Sequence, residues 1–148
     1  MDKEYIKNEA LKRFRSGFNC SQSVLSSLAG ELDVDASLLE KVSSGFGGGM
    51  GHMQGTCGAV TGSFMAISLY CGSKYADNDR RTTEAYSMIK KFDAEFKELH
   101  ASTICKDLIK YELDSEEGHQ KLVNNNVFEL VCEKCIADSI EILSRLIE

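Results

Sequence analysis

The amino-acid sequence predicts an all-α fold, a single-domain helical bundle of about five to seven helices with one Gly-rich loop. Apolar residues recur at steps of three and four along almost the whole chain, whereas the strict alternation of a half-buried strand is nearly absent. The 148 residues suffice for one hydrophobic core and are few for two. We therefore expect a single helical domain over residues 1–148, because no linker, repeat or low-complexity tract divides the chain.

The first two helices are predicted on either side of a glycine. An apolar stripe indicates a first helix over Lys3–Arg15, and Gly17 ends it. Asn19 is then placed to cap a second helix, because its short side chain can accept a hydrogen bond from a first-turn amide. This second helix begins at Cys20 and runs to about Gly30.

A glycine-rich loop divides the third and fourth predicted helices. The third helix is short, at 36–44, and it leads into residues 45–51, where five glycines in seven residues exclude a stable helix. Cys57 then stands at the start of a helix with small residues spaced largely four apart, a face that lets another backbone or a compact cofactor approach closely. These small residues are Gly58, Ala59, Gly62 and Ala66.

The next segment is predicted to be scaffold and surface. Residues 79–100 form an amphipathic helix, and Ser102 can cap a short helix that holds Cys105. Residues 111–120 are rich in charge and indicate a surface connection. The apolar stripe of the long helix consists of Tyr86, Ile89, Phe92, Phe96 and Leu99.

The last helix is predicted to start at Asn125 or Asn126 and to run to the C-terminus. Its buried stripe includes both Cys132 and Cys135, so the two thiols of this Cys-x-x-Cys pair face inward. The other members of the stripe are Phe128, Val131, Ile136, Ile140, Leu143 and Ile147.

Charge and hydropathy exclude several classes of protein. Seventeen basic against twenty-three acidic residues give a net charge of −6, so no sequence-wide positive field attracts nucleic acid. The longest mostly apolar run, about 59–71, is shorter than the roughly 20 residues of a membrane span, so we expect no membrane insertion. The N-terminal segment mixes both charges and lacks the apolar region of a secretory signal, which predicts a cytoplasmic protein.

Six cysteines are many for a protein of a reducing compartment, and they suggest metal ligation or redox chemistry. Helix N-termini favour thiolates through unpaired amides and the helix dipole, and Cys20 and Cys57 fit that position well, with Cys105 fitting loosely. The glycine loop before Cys57 can bring backbone amides close to sulfur or to an anion. Cys71 stands alone and is interpreted as a core residue.

The histidines carry a weaker signal. His52 follows the glycine loop, where it is either an exposed loop residue or a donor or alternative ligand at the cysteine site. His100 and His119 are predicted to lie at the surface without a functional role.

The arrangement of motifs resembles the C-GCAxxG-C-C family of redox-active proteins over nearly the whole chain. The matching segments are GFNCSQSV at 17–24, GFGGGM at 45–50, CGAVTG at 57–62, residues 96–105, and a cysteine in the last helix. The resemblance implies a small bacterial redox protein with four recurring cysteines, encoded near transporter genes and holding an iron–sulfur centre. It places those cysteines at Cys20, Cys57, Cys105 and one of the terminal pair.

The resemblance leads to the hypothesis that Cys20, Cys57, Cys105 and Cys132 bind an iron–sulfur cluster for electron transfer or redox sensing, with Cys135 as the substitute ligand. Amides of the glycine loop would tune the cluster, and three nearby apolar residues would bury it. These apolar residues are Phe18, Phe46 and Met50. A redox partner protein, associated with a transporter, and a homodimer are the expected assemblies. Haem attachment is not supported, because Ile136 and not histidine follows the Cys-x-x-Cys pair.

Three alternatives stay open at this point. The same four thiols could hold zinc as a closed structural site, although zinc sites usually supply a Cys-x₂₋₄-Cys knuckle in a loop. In a metal-free thiol–disulfide or sulfur-transfer protein, Cys57 would be the attacking thiolate and Cys20 or Cys105 would resolve the mixed disulfide. A binding module would instead use the glycine loop to hold a small anion or a protein partner.

Overall fold

Nine α-helices make up most of the computed structural model, which describes residues 1–147. No strand occurs within these residues, so the predicted all-α class is confirmed. Seven of the helices have eight or more residues, and α3 and α7 are single turns of four and five residues. The helices are α1 (Lys3–Arg15), α2 (Cys20–Ser27), α3 (Ala29–Leu32), α4 (Ala36–Ser43), α5 (Gly58–Lys74), α6 (Asn78–His100), α7 (Cys105–Ile109), α8 (Glu116–Asn124) and α9 (Glu133–Leu146).

Helix α5 lies at the centre and packs against α2, α6 and α9. Its first ten residues are buried almost all round, as expected of a helix with no polar face. A β-carbon on Gly62 would lie 2.8 Å from the carbonyl oxygen of Ser21, and one on Gly58 would lie 3.0 Å from the Cys20 Cβ. The small-residue face therefore serves a close approach of α2.

The buried face of α6 differs from the predicted stripe at two positions. Phe92 and Phe96 are fully buried and stack with ring centroids 6.0 Å apart, whereas Tyr86 is 63% and Leu99 56% exposed. Tyr86 lies about 100° round the helix from the buried Ala85. Leu99 keeps the angular position of Phe92 but stands at the end of the helix, in its last turn.

The 111–120 connection is partly helical, which the sequence analysis did not predict. Ser115 caps α8 by accepting a hydrogen bond from the Gly118 amide at 2.9 Å, so the helix begins inside the charged segment. The predicted Ser102 cap of α7 is wrong, because Ile104 is the N-cap residue and no side chain caps the helix; Ser102 instead accepts from the amide of Ile104.

The last helical segment begins with a π-helical turn over Phe128–Cys132 and continues without a break into α9. A 3₁₀ turn, Ser44–Phe46, likewise extends α4 into the glycine loop. No helix in residues 1–147 combines the length and apolar character needed to cross a bilayer.

Candidate redox centre

Five of the six cysteines line one small enclosed cavity, which we call the thiol chamber. Its free volume is about 20 Å³, roughly the space of one water molecule. The four cysteines proposed as ligands are brought together here, and Cys135 joins them. The lining consists of Cys20, Cys57, Cys105, Cys132, Cys135, Gly49, Gly58, Leu108, Ile109 and Val131.

Three of these thiols stand at helix starts, as the sequence predicted. Cys20 is the first residue of α2, where the Asn19 side chain accepts from the Gln22 amide at 2.9 Å and the Gln22 side chain accepts from the Asn19 amide at 3.0 Å. Cys57 immediately precedes α5, and Cys105 is the first residue of α7. These two reciprocal hydrogen bonds form a capping box, which fixes the direction of the first turn of α2 and therefore the position of the Cys20 thiol.

A short antiparallel bridge holds Cys57 and Cys105 side by side. Thr56 and Ile104 pair across it. The Cys57 amide donates to the Thr103 carbonyl at 2.7 Å, and the Cys105 amide donates to the Gly55 carbonyl at 2.7 Å. Two segments separated by nearly fifty residues are thereby locked in register beside the chamber.

The glycine loop closes the chamber by folding upon itself. Gly49 has a φ of +71°, and a β-carbon there would lie 2.6 Å from the backbone of Gln54, so only glycine fits. Loop amides, those of Gly51, Gln54 and Gly55 among them, donate to loop carbonyls. The expectation that this loop supplies amides to sulfur is therefore not borne out for these residues. The Gln54 side chain then ties the loop to the backbone of residues 111 and 113.

The amides that reach sulfur belong to the first turn of α5. The pKa of the Cys57 thiol is lowered because it accepts a hydrogen bond from the Cys135 thiol, and the amides of Ala59 and Val60 add to the effect. Burial acts in the opposite direction and is outweighed. Cys57 is only 7% exposed, so the chamber contains a buried thiol whose pKa is nevertheless lowered.

The pKa values of three other chamber thiols, those of Cys105, Cys132 and Cys135, are raised. The pKa of Cys132 is raised chiefly by its hydrogen bond to Cys20, and that of Cys135 chiefly by its hydrogen bond to Cys57. Burial raises the pKa of Cys105 to about 12, with a smaller repulsion from the neighbouring sulfurs. The chamber thus contains two hydrogen-bonded thiol pairs, Cys20 with Cys132 and Cys57 with Cys135.

His100 adjoins this site, which corrects its predicted surface location. Its side chain is 9% exposed, its ring stacks on Phe96 at 4.5 Å, and its Nδ1 lies 3.9 Å from the Cys135 sulfur. Nε2 lies 2.9 Å from the Asp138 carboxylate, and since a carboxylate only accepts, Nε2 carries a hydrogen there. The four-residue step from Phe96 to His100 was the signal in the sequence that continues the buried stripe.

The remaining candidates lie outside the chamber. Cys71 is fully buried with its sulfur 3.6 Å from that of Met88, in keeping with its interpretation as a core residue. His52 is exposed and pairs with Asp114 at 2.9 Å. The residues expected to bury the site, Phe18, Phe46 and Met50, are half-buried but do not line it. The apolar lining is supplied instead by Leu108, Ile109 and Val131 among others.

Within residues 1–147, no three His, Cys, Asp or Glu side chains are grouped as a site for one metal ion. Four of the five chamber thiols are instead paired, Cys20 with Cys132 and Cys57 with Cys135, and Cys105 stands beside the pairs.

A family model described as "Putative redox-active protein (C_GCAxxG_C_C)" matches residues 18–146. The chain belongs to this family. The matched span contains all six cysteines, and therefore the whole thiol chamber. No match was found among curated proteins or among solved structures.

Proposed function

We propose that the thiol chamber holds an iron–sulfur cluster and that the protein transfers single electrons or senses redox state. The observation that carries this proposal is the convergence of five cysteines from four helical segments on one small cavity. Thiolates are the usual ligands of such clusters, and exclusion of water is one of the factors that set their potential. When bound, the cluster supplies one-electron chemistry.

The donor set fits this group in kind and in number. The free space is only about 20 Å³, so the thiols would have to move apart as the cluster loads. Iron binds thiolates, so loading would release the thiol protons and break both thiol–thiol hydrogen bonds. Cys57, whose pKa is already lowered, would be the first ligand to accept iron.

The pairing of the thiols favours a two-iron cluster. Each iron of such a cluster takes two cysteine sulfurs, and the chamber offers the pairs Cys20 with Cys132 and Cys57 with Cys135. A structural zinc ion requires four ligands around one point. Both ligand sets contain Cys20, Cys57 and Cys132. The thiol pairing favours Cys135 as the fourth ligand, whereas the family pattern favours Cys105.

The chain's own residues set the environment of this centre. The amides of Ala59 and Val60 stabilise negative charge on the Cys57 sulfur, and apolar side chains exclude water. Cys20 and Cys132 are half-buried, whereas Cys57 and Cys135 are at most 7% exposed, so electrons would enter and leave on the Cys20 side. We propose a redox partner protein on that side and place the exchange in the cytoplasm.

The test is the iron, zinc and acid-labile sulfide content of protein purified without oxygen, with its visible absorption spectrum. Iron and sulfide in near-equal amounts with a broad charge-transfer band are expected. Zinc alone would replace the proposal with a structural site, and a metal-free protein would overturn it.

Single variants test the ligands. Cys57→Ser should remove most of the iron, and Cys71→Ala, a buried cysteine outside the chamber, should leave it unchanged. Comparing Cys105→Ser with Cys135→Ser identifies the fourth ligand, because only the true ligand should lower iron content strongly. Equal iron loss from Cys71→Ala would contradict a cluster in the chamber.

A second candidate is metal-free thiol–disulfide exchange, which the lowered pKa of Cys57 and its contact with Cys135 favour. The Cys57 thiolate would attack a partner disulfide and release one partner thiolate. Cys135, once deprotonated, would then attack the mixed disulfide, forming the Cys57–Cys135 disulfide and releasing the second thiolate. Two cysteine thiols are oxidised as one partner disulfide is reduced. Mass spectrometry of the oxidised metal-free chain should find the Cys57–Cys135 disulfide, and Cys57→Ser should abolish exchange without unfolding the protein.

A further inference from the structure

A second and larger cavity adjoins the thiol chamber. This outer pocket has a volume of about 170 Å³, and it shares Cys20, Cys105 and Cys132 with the chamber. A molecule in the outer pocket would therefore touch the half-buried thiols directly. The proposed function assigns no ligand to this space.

The size and walls of the outer pocket match one aromatic ring. Phe14, Ile109, Leu113 and Phe128 line it, and each is buried or half-buried. An apolar protein cavity of about 150 Å³ is known to hold benzene, so 170 Å³ accommodates a six-membered ring with one small substituent.

The rim of the pocket carries an unused hydrogen-bond acceptor. His52 Nδ1 lies 2.9 Å from the Asp114 carboxylate, and in the tautomer that this contact selects Nδ1 donates and Nε2 is left as an acceptor. No atom of residues 1–147 donates to this Nε2. Gly48 makes room for the His52 imidazole, because a β-carbon at residue 48 would lie 2.3 Å from His52 Cδ2.

Of the two other polar side chains around the pocket besides the thiols, that of Asn19 is engaged in hydrogen bonds, whereas that of the exposed His119 makes only a ring contact. The Asn19 side chain accepts from the Gln22 backbone amide through Oδ1 and donates to the Ser44 carbonyl through Nδ2. His119 packs near Phe128, with ring centroids 6.0 Å apart. The His52 side chain is 57% exposed, so a ligand that carries a donor to the rim can replace solvent at its Nε2.

We propose that the outer pocket binds a single aromatic ring bearing a hydroxyl group, the class of phenols and hydroquinones. The ring contacts the apolar walls, and the hydroxyl donates to His52 Nε2. This inference deepens the proposed function by naming the ligand class at the entrance to the chamber, and only the redox significance of the ligand depends on that function.

The test compares 4-fluorophenol with fluorobenzene by fluorine NMR titration of the full chain, purified under reducing conditions without oxygen. Saturable binding of 4-fluorophenol is expected, with fluorobenzene weaker by about threefold or more, since it lacks the donor. Absence of saturable 4-fluorophenol binding, or equal affinity for the two probes, would overturn the proposal.

Three variants assign the contacts. Leu113→Trp should fill the pocket and weaken both probes, and His52→Phe should remove the preference for 4-fluorophenol while fluorobenzene still binds. His119→Phe is the matched control and should retain the preference, so its loss there would overturn the role of His52. Metal analysis of the same sample separates the two proposals, because phenol binding without iron refutes only the cluster, and iron without phenol binding refutes only this inference.

Discussion

At the scale of single residues, Gly62 and Gly72 of α5 allow the effect of close packing on stability to be distinguished from the effect of helix propensity. A β-carbon on Gly62 would meet the Ser21 carbonyl oxygen at 2.8 Å, whereas one on Gly72 would meet nothing within 4 Å. We expect Gly62→Ala to lower the free energy of unfolding by about 1–3 kcal/mol, because α2 must move away. Gly72→Ala should raise it by up to about 1 kcal/mol. Denaturant unfolding measures both, and a change of the same sign in the two variants would contradict the close approach.

His100 offers a second prediction at this scale. His100→Phe keeps an aromatic ring against Phe96 but removes both nitrogens, so Asp138 loses its buried partner at 2.9 Å. We expect the free energy of unfolding to fall by about 1–2 kcal/mol. His119→Phe changes an exposed ring and should stay within about 0.5 kcal/mol of the wild type in thermal or denaturant unfolding. Equal effects of the two variants would show that His100 acts only as a surface residue.

At the scale of helices, the capping box before Cys20 links stability to thiol exposure. Asn19→Ala removes the bond to the Gln22 amide and the bond to the Ser44 carbonyl. We expect a loss of about 1–2 kcal/mol and faster alkylation of Cys20, because the first turn of α2 frays. Asp77→Ala removes a comparable cap of α6, with an acceptor distance of 3.0 Å, and should leave the alkylation rate of Cys20 unchanged. Alkylation followed by peptide mass spectrometry decides between these outcomes.

The sequence predicted those parts of the fold that depend on local chemistry. The bounds of Lys3–Arg15, the Asn19 cap and the helix start after Cys57 agree with the structure. Each follows from side chains within a few residues of the helix end. The π-helical turn Phe128–Cys132 was not predicted, because hydrophobic periodicity does not distinguish it from ordinary helix. Helix α8 was not predicted, because its charges suggested a loop.

At the scale of the whole molecule, the chamber lies where two hydrophobic clusters meet. Cys57 and Cys135 belong to the main core, and Cys105 belongs to a smaller cluster around α7 and α8. The sequence could identify the candidate thiols from their helix-start positions. It could not reveal that Cys135 pairs with Cys57, or that His100 adjoins them, since these contacts depend on how α6 and α9 pack.

The two ends of the chain are held together by an ion-pair network that predicts a pH dependence of stability. Glu141 of α9 pairs with Lys3 at 2.8 Å and Lys7 at 2.6 Å, both on α1. Hydrogen bonds from these two lysines lower the pKa of Glu141 to about 2. The unfolded chain has a glutamate pKa of about 4.3, so this contribution is complete above that pH and is lost as pH falls toward 2.

Glu141→Gln tests this linkage. We expect the variant to be less stable than the wild type by about 1 kcal/mol above pH 5, because the pairs are partly exposed and screened by solvent. The difference should shrink as pH falls from about 4 to 2 and should be smaller in 1 M salt. Glu117→Gln, which removes an exposed pair within α8, is the control and should change stability by less than about 0.5 kcal/mol at every pH. Denaturant unfolding across this pH range measures the difference, and a gap that stays constant down to pH 2 would mean that the Glu141 carboxylate does not join α1 to α9 through its charge.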